Sequence, residues 1–148
     1  MNKIFVYGLS ILFVSNAIYH LSIWYQCIYL ARLTKGMVAV VVIIPIVFLS
    51  LAYTVGNGLI ENVILTLVAS LSMISQVAGR GISEKGIYYW TKTGLNRLAK
   101  WEDIKQLHFD QSKSHLEKIR FSSYARYPDQ YYQSEKVEEI YDYIQRRI

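Results

Sequence analysis

A long stretch that is almost free of charge constrains this chain more than any other feature. Between Ile4 and Gly79 the only side chains charged at neutral pH are Arg32, Lys35 and Glu61. The apolar runs in this stretch reach the roughly 20 residues that a helix needs to cross about 30 Å of hydrocarbon. Water could not solvate so long a charge-poor segment in a soluble globular protein. We therefore predict that the first half of the chain lies in a membrane.

Short connectors that contain glycine divide this stretch into three apolar segments, which suits hairpins between antiparallel helices. We predict transmembrane helices over residues 4–31, 37–54 and 59–78, together forming a membrane region over residues 1–79. The first segment would span roughly 42 Å as a helix, more than the hydrocarbon requires. It must therefore tilt, or its end must lie at the interface, which the aromatic residues near that end favour.

The positions of the basic residues predict an orientation. Arg32 and Lys35 lie in the first connector, the second connector has no cation, and Arg80 and Lys85 follow the third segment. Because cytoplasmic loops carry an excess of Lys and Arg, the N-terminus is predicted outside the cell (inner) membrane and everything from Arg80 in the cytoplasm. A cleaved signal peptide is the competing interpretation of the first segment, but its apolar run is longer than usual and no small-residue cleavage site follows.

Three polar residues in the predicted spans form a possible intramembrane site. Asn16 and His20 are four residues apart and would share one face of a helix, and Glu61 lies near the outer edge of the third span. Ionisable groups inside a membrane are candidates for transport or proton relay. The alternative is structural: Asn16 and His20 would bond to a neighbouring helix, and Glu61 would reach water at the interface.

From about Gly81 the pattern changes to short alternating runs broken by turn residues, which predicts strands. Turns are predicted at residues 84–86, 92–94 and 111–114, and the strands between them form an antiparallel meander. A C-terminal helix is predicted from about Glu135, with Ser134 as its N-cap. Its apolar stripe comprises Val137, Ile140, Tyr141, Ile144 and Ile148. Residues 80–148 are thus predicted to be a small α+β domain, an antiparallel sheet capped by a helix.

Two short motifs in this domain resemble a known family. The run Ile82-Ser83-Glu84-Lys85-Gly86-Ile87-Tyr88, followed by Trp101-Glu102-Asp103-Ile104-Lys105, is similar to the opening of bacterial pleckstrin-homology-like (PH-like) domains. The whole chain is similar in plan to small bacterial multi-pass membrane proteins that carry such a domain. The resemblance implies a membrane α-helical part of three transmembrane helices followed by a PH-like cytoplasmic domain. The Tyr-rich stretch 122–133 departs from the strands that the family would have there.

Residues that could carry chemistry have simpler interpretations. His108 and His115 lie seven apart without a patterned acid or cysteine, so we predict no metal site. Adjacent Glu102 and Asp103 are expected to face water at a corner rather than to act as a catalytic pair. No catalytic residue and no cofactor is predicted. The tyrosines of the 122–133 stretch could stack on nucleic acid, but we rank the domain core and the membrane interface ahead of it.

The charge of the second half points to a partner. The 13 basic and 10 acidic residues from Arg80 onward give a net charge of +3, which suits the anionic inner leaflet. The leading hypothesis is a non-enzymatic integral membrane protein whose cytoplasmic domain binds a protein partner or the anionic membrane surface. The alternatives are a bacteriocin or toxin immunity protein, and a small transporter or membrane enzyme that uses the intramembrane polar residues. Nucleic acid is not an expected partner, and the sequence does not predict an oligomeric state.

Overall fold

A computed structural model describes residues 3–55, 59–91 and 95–148 of the chain. The chain divides into two compact units. The helical unit takes its residues from 1–22 and 34–78, and the sheet unit takes its residues from 23–33 and 79–148. The sheet unit therefore begins before residue 80, because a segment between the first two helices belongs to it.

Three helices run through the charge-poor half of the chain. They are α1 (Lys3–Gln26), α2 (Lys35–Val55) and α3 (Leu59–Ala78). Helix α2 contains Pro45 and packs against α3, where the Thr66 hydroxyl donates a hydrogen bond of 3.5 Å to the Phe48 carbonyl oxygen. A neighbouring hydroxyl of this kind helps to satisfy backbone groups in an apolar setting.

Two stretches of these helices are long and apolar enough to cross a membrane, judged by length and composition. They are Val6–Gln26 and Ile60–Ala78. Within α2, the stretch Lys35–Ser50 is apolar but shorter.

The sheet unit contains two antiparallel sheets followed by a helix. The first sheet has the order β1 (Cys27–Leu30), β2 (Gly81–Ser83), β3 (Gly86–Trp90) and β4 (Asn96–Lys100). After a 3₁₀ turn at Trp101–Asp103, the second sheet pairs β5 (Gln106–Asp110) with β6 (His115–Arg120), and β6 with two short strands, β7 (Ala125–Arg126) and β8 (Gln130–Tyr131). A second 3₁₀ turn, Ser134–Lys136, leads into α4 (Val137–Gln145).

Strand β1 corrects the prediction that the first span continues as a helix to Ala31. The helix ends at Gln26, and the next four residues pair with β2. Tyr29 turns into the core with only 7% of its surface exposed, whereas Ile28 and Leu30 are largely exposed. This is the alternation of a half-buried strand, but apolar residues on both faces made it look like a continuation of the helix.

Hydrogen bonds fix the end of β1 to both sheets. The Ala31 N–H donates to the Arg80 carbonyl oxygen at 3.0 Å, and the Arg32 N–H donates to the Tyr131 carbonyl oxygen at 2.6 Å. Gly81 has a φ of 154°, and a Cβ at this position would collide with the Tyr29 carbonyl oxygen. Only glycine allows β1 to pass this close to β2.

The predicted β2–β3 hairpin is confirmed, with its turn at Glu84 and Lys85 before Gly86. Gly86 has a φ of 151° and lies against the Ala99 carbonyl oxygen of β4. The turn predicted at residues 111–114 is also present. The turn predicted at residues 92–94 lies outside the described residues.

The corner after β4 has the packing that the sequence predicts. The Trp101 indole N–H donates to the Ser83 carbonyl oxygen at 3.2 Å, and Ile104 is buried. Glu102 and Asp103 are exposed between them. The corner therefore closes the first sheet over the core with one buried and one half-buried apolar side chain.

The C-terminal helix seals the core with one face. Ile140 and Ile144 are fully buried, Val137 and Tyr141 are half-buried, and Ile148 is exposed. The prediction of Ser134 as N-cap is wrong. Ser134 is the first residue of a 3₁₀ turn that no side-chain hydrogen bond caps, and the α-helix starts three residues later.

Candidate functional site

A groove in the sheet unit lies between the ends of β3 and β4 in the first sheet and β7 in the second. It encloses about 360 Å³. This volume is at the lower end of the range for small-molecule sites. Its lining residues are Tyr89, Trp90, Thr91, Arg97, Ala125, Arg126 and Tyr127.

Two arginines from distant parts of the chain line the groove, each on a different sheet. Arg97 lies opposite Tyr89 in the β3–β4 ladder, and Arg126 lies opposite Ile119 in the β6–β7 ladder. Both arginines are exposed. No acidic residue is among the described residues that line the groove, so the two guanidinium groups make this lining positive.

Aromatic rings accompany the cations on the β7 side. The Arg126 guanidinium lies 4.9 Å from the centre of the Tyr124 ring, and the Lys118 ammonium lies 5.6 Å from the centre of the Tyr127 ring. Such cation–π contacts hold the cations in place without neutralising them. Of the two settings expected for these tyrosines, the core does not hold Tyr124 or Tyr127, which are 50% and 70% exposed, and the membrane interface stays a prediction.

Trp90 also lines the groove, between Tyr89 and Thr91. Its Nε1 is buried and has no hydrogen-bond acceptor among the described residues. A buried indole N–H normally finds a partner. The groove thus offers guanidinium donors and aromatic faces, and its described lining residues include no acid or histidine that could act as a general base near neutral pH.

Local hydrogen bonds hold the hairpin end that forms one side of the groove. The Thr91 N–H donates to the Leu95 carbonyl oxygen at 2.9 Å, and the Leu95 N–H donates to the Thr91 hydroxyl at 3.2 Å. The Asn96 side-chain amide donates to the Gly79 carbonyl oxygen at 2.9 Å. Gly79 belongs to the sheet unit and lies two residues before β2, so this bond ties the hairpin to the segment that leads into β2.

The predicted intramembrane residues do not gather into one cluster. The Asn16 amide donates to the Ser72 hydroxyl at 2.6 Å, linking α1 to α3. His20 is buried one turn further along α1, edge-on to Tyr19. Glu61, in the first turn of α3, precedes Ser72 by 11 residues, or roughly 16 Å along the helix axis. The Asn16 contact is the kind that packs helices together.

The two histidines of the second sheet share one carboxylate, which the sequence spacing did not indicate. Glu117 contacts His108 Nε2 at 3.2 Å and His115 Nδ1 at 3.6 Å. His115 also contacts Asp129 at 2.7 Å and stacks on Tyr131 with ring centres 4.1 Å apart. In the part of the chain that the structure describes, no three His, Cys, Asp or Glu side chains are placed to hold a metal ion.

A buried polar cluster joins the two sheets. The Gln130 amide donates to the Tyr88 carbonyl oxygen at 2.8 Å and accepts a hydrogen bond of 2.8 Å from the Tyr132 hydroxyl. Burial raises the pKa of Tyr132 far above its ordinary value. Burial also lowers the pKa of the nearby Arg80 guanidinium, an effect that Tyr132 and Asp129 oppose. Since its polar atoms bond one another, this cluster is a structural link between β3 and β8.

Comparison of the chain with protein-family models, with curated proteins and with solved structures found no match. The groove was missed from the sequence because its arginines are 29 residues apart and lie on strands of different sheets. The sequence signal that could have pointed to the groove was Arg126, a basic residue among the tyrosines of the 122–133 stretch.

Proposed function

We propose that this chain is a non-enzymatic, multi-pass membrane protein whose sheet unit binds the anionic inner surface of the membrane. In this proposal three helices cross the bilayer, the N-terminus is outside and the sheet unit is cytoplasmic. The two long apolar helices and the cations of the first connector support this topology.

The observation that carries the proposal is the positive groove. Arg97 and Arg126 line it from two different sheets, and the lining residues that the structure describes include no acid. An anionic leaflet attracts each such cation by about 1 kcal/mol close to its surface. Exposed tyrosines beside the cations support the same surface, because tyrosine rings favour headgroup depth.

The connection of the sheet unit to the helices supports a membrane-bound role. Strand β1 follows Gln26 of α1 without a linker, and β2 begins three residues after Ala78 of α3. A domain tethered in this way meets the membrane surface at high effective concentration, so weak contacts are sufficient for binding.

We also propose that the sheet unit is a PH-like domain. A four-stranded antiparallel sheet, a second antiparallel sheet and a C-terminal helix occur in this order, which is compatible with the resemblance of the β2–β3 hairpin and the Trp101–Ile104 corner. In this proposal the segment between α1 and α2 supplies the first strand.

Hydrogen–deuterium exchange on the full-length protein in nanodiscs tests the membrane-surface proposal. We expect peptides from β3, β4 and β7 to exchange more slowly in discs containing phosphatidylglycerol than in discs of phosphatidylcholine. The difference should shrink at high salt, because exposed charge interactions are screened. Equal exchange in the two lipids at low salt would reject the proposal, and peptides from α2 serve as the internal control.

A further inference from the structure

We infer that the exposed face of β1 inserts into the inner leaflet, where Ile28 and Leu30 lie among the glycerol groups and the upper acyl chains. Tyr29, between them, stays in the core of the sheet unit. This inference rests on the proposed topology, in which α1 crosses the membrane and the sheet unit is cytoplasmic. It adds to the proposed function a contact with the apolar part of the lipid, which needs no anionic headgroup.

The exposed aliphatic side chains of the sheet unit are concentrated in one segment. Among the residues that the structure describes, five such side chains are exposed in this unit: Ile28, Leu30, Leu33, Leu95 and Ile148. Three of the five lie in β1 or directly after it. Single exposed apolar residues are common on protein surfaces, but a group of them on one short segment indicates an interaction surface.

The structure of β1 separates this apolar group from the core. Tyr29 is buried and its ring packs against Tyr143 of α4, whereas Ile28 and Leu30 on either side of it are exposed. β1 contains no charged residue, and it is the end strand of the first sheet among the described strands. Because end strands are normally protected by charges or by a cover, an apolar end strand of this kind is suited to being covered.

The chain holds β1 close to the membrane. The candidate span Val6–Gln26 has 21 residues, which as a helix cover roughly 31 Å and match the thickness of the hydrocarbon. Ile28 lies two residues beyond this span, and an extended chain covers at most about 3.6 Å per residue, so it lies within about 7 Å of the span's end. The headgroup zone of one leaflet is itself roughly 5–7 Å thick. At the other end of β1, Leu30 pairs with Gly81, which is only three residues beyond the candidate span Ile60–Ala78.

The residues that flank β1 match the layers of a membrane interface. Trp24 and Tyr25, in the last turn of α1, are exposed, and amphipathic rings prefer headgroup depth. Arg32 and Lys35, which follow β1, are exposed and suit the negative surface of the cytoplasmic leaflet. The backbone of β1 stays in the hydrated headgroup zone, because an open strand edge is not stable in hydrocarbon. Only the apolar side chains therefore reach the acyl chains.

The test measures the depth of fluorescent labels on the full-length protein in nanodiscs of phosphatidylcholine. In a Cys27→Ala background, the single variants Ile28→Cys and Leu30→Cys carry an environment-sensitive dye. The discs contain lipids with a spin label either on the headgroup or on the upper part of the acyl chain. We expect emission at shorter wavelength than in water, and more quenching by the acyl label than by the headgroup label.

The matched control for chain proximity is Glu84→Cys in the same background. Glu84 is exposed and directly follows Ser83, the Cα partner of Cys27, so it is near the same end of β1 but is not part of the apolar face. We expect a dye at this position to emit as in water, and to be quenched more by the headgroup label than by the acyl label.

A second set of variants tests whether the two side chains cause the insertion. A dye at Leu33→Cys should lose its quenching by the acyl label when Ile28→Asn and Leu30→Asn are added. The matched control adds Leu95→Asn and Ile148→Asn, which replace two exposed aliphatic side chains elsewhere in the sheet unit and should leave the quenching unchanged. Circular dichroism shows that each variant is folded.

Two results would overturn the insertion of β1. One is quenching of the dyes at positions 28 and 30 that is as strong with the headgroup label as with the acyl label. The other is emission at short wavelength without quenching by either lipid, which would mean that protein covers this face. If either result occurred while β3, β4 and β7 still exchanged slowly in phosphatidylglycerol discs, only the insertion would be rejected. Insertion together with equal exchange in the two lipids would instead reject the anionic-surface function.

Discussion

The Tyr29 hydroxyl donates a hydrogen bond of 2.7 Å to Oε1 of Glu139, joining the strand after the first helix to the C-terminal helix 110 residues later. The Tyr29 ring also packs edge-on against Tyr143 with ring centres 5.6 Å apart. One side chain thus fastens β1 to α4 by both a polar and an apolar contact.

Substitution of Tyr29 should separate these two contacts. Tyr29→Phe removes only the hydrogen bond and should cost about 0.5–1.5 kcal/mol of unfolding free energy, since Glu139 is exposed. Tyr29→Ala also empties a core position and should cost about 3–5 kcal/mol. Denaturant unfolding in detergent measures both, with Tyr25→Phe, at an exposed tyrosine, as control. A Tyr29→Ala cost no larger than that of Tyr29→Phe would contradict the core position of the ring.

The same tyrosine should make stability depend on alkaline pH. Burial, followed by the hydrogen bond to Glu139, raises the pKa of Tyr29 from 10.0 to about 12. Between these values the unfolded chain loses the phenol proton while the folded chain keeps it, so the contribution of Tyr29 to stability falls as the pH rises. We expect the native protein to lose stability relative to Tyr29→Phe from pH 10 to 12. Comparing their unfolding midpoints measures this, and a constant difference would refute the prediction.

A side chain at position 81 should separate β1 from β2. Gly81→Ala places a Cβ against the Tyr29 carbonyl oxygen at a φ of 154°, so we expect a loss of about 1–3 kcal/mol. Hydrogen exchange should become faster in β1 and β2. Gly36→Ala is the matched control, because a Cβ there meets no atom within 4 Å. Equal stability of the two variants would show that the strands are not paired as described.

Cys27 provides a covalent test of the β1–β2 register. Its Cα partner is Ser83, and paired Cα atoms in an antiparallel ladder lie at about 4.5–5.5 Å, within disulfide range. Ser83→Cys should therefore form an intramolecular disulfide with Cys27 under oxidising conditions, seen as a loss of both free thiols. Burial raises the pKa of Cys27 to about 11, so bond formation should be slow without a catalyst. Ser112→Cys, in the β5–β6 turn, is the control that should stay reduced.

Cysteine labelling on intact cells tests the proposed orientation. In a Cys27→Ala background, a cysteine at Ser112 should resist a membrane-impermeant reagent, since the sheet unit is proposed to be cytoplasmic. A cysteine at Asn57, in the predicted outer connector, should react. Labelling of the Ser112 site in intact cells would show that the sheet unit lies outside, contrary to the proposed orientation. Labelling in permeabilised cells is the control that shows whether this thiol is accessible to the reagent.

Local patterns account for the parts of the fold that the sequence predicted. The β2–β3 hairpin follows from a glycine turn between two apolar runs, and the Trp101–Ile104 corner follows from two apolar residues flanking two acids. Strand β1 could not be separated from α1, because an apolar run satisfies both a helix and a strand. The groove could not be predicted without knowing which strands lie side by side, because no local pattern connects Arg97 to Arg126.

The position of β1 between two helices has a consequence for how the protein is made. During synthesis β1 leaves the ribosome with α1, but its partner β2 follows only after 50 further residues, about 3–10 seconds later at usual elongation rates. α4, which receives the hydrogen bond of Tyr29, is made last. The sheet unit therefore completes its fold only after all three helices have been synthesised.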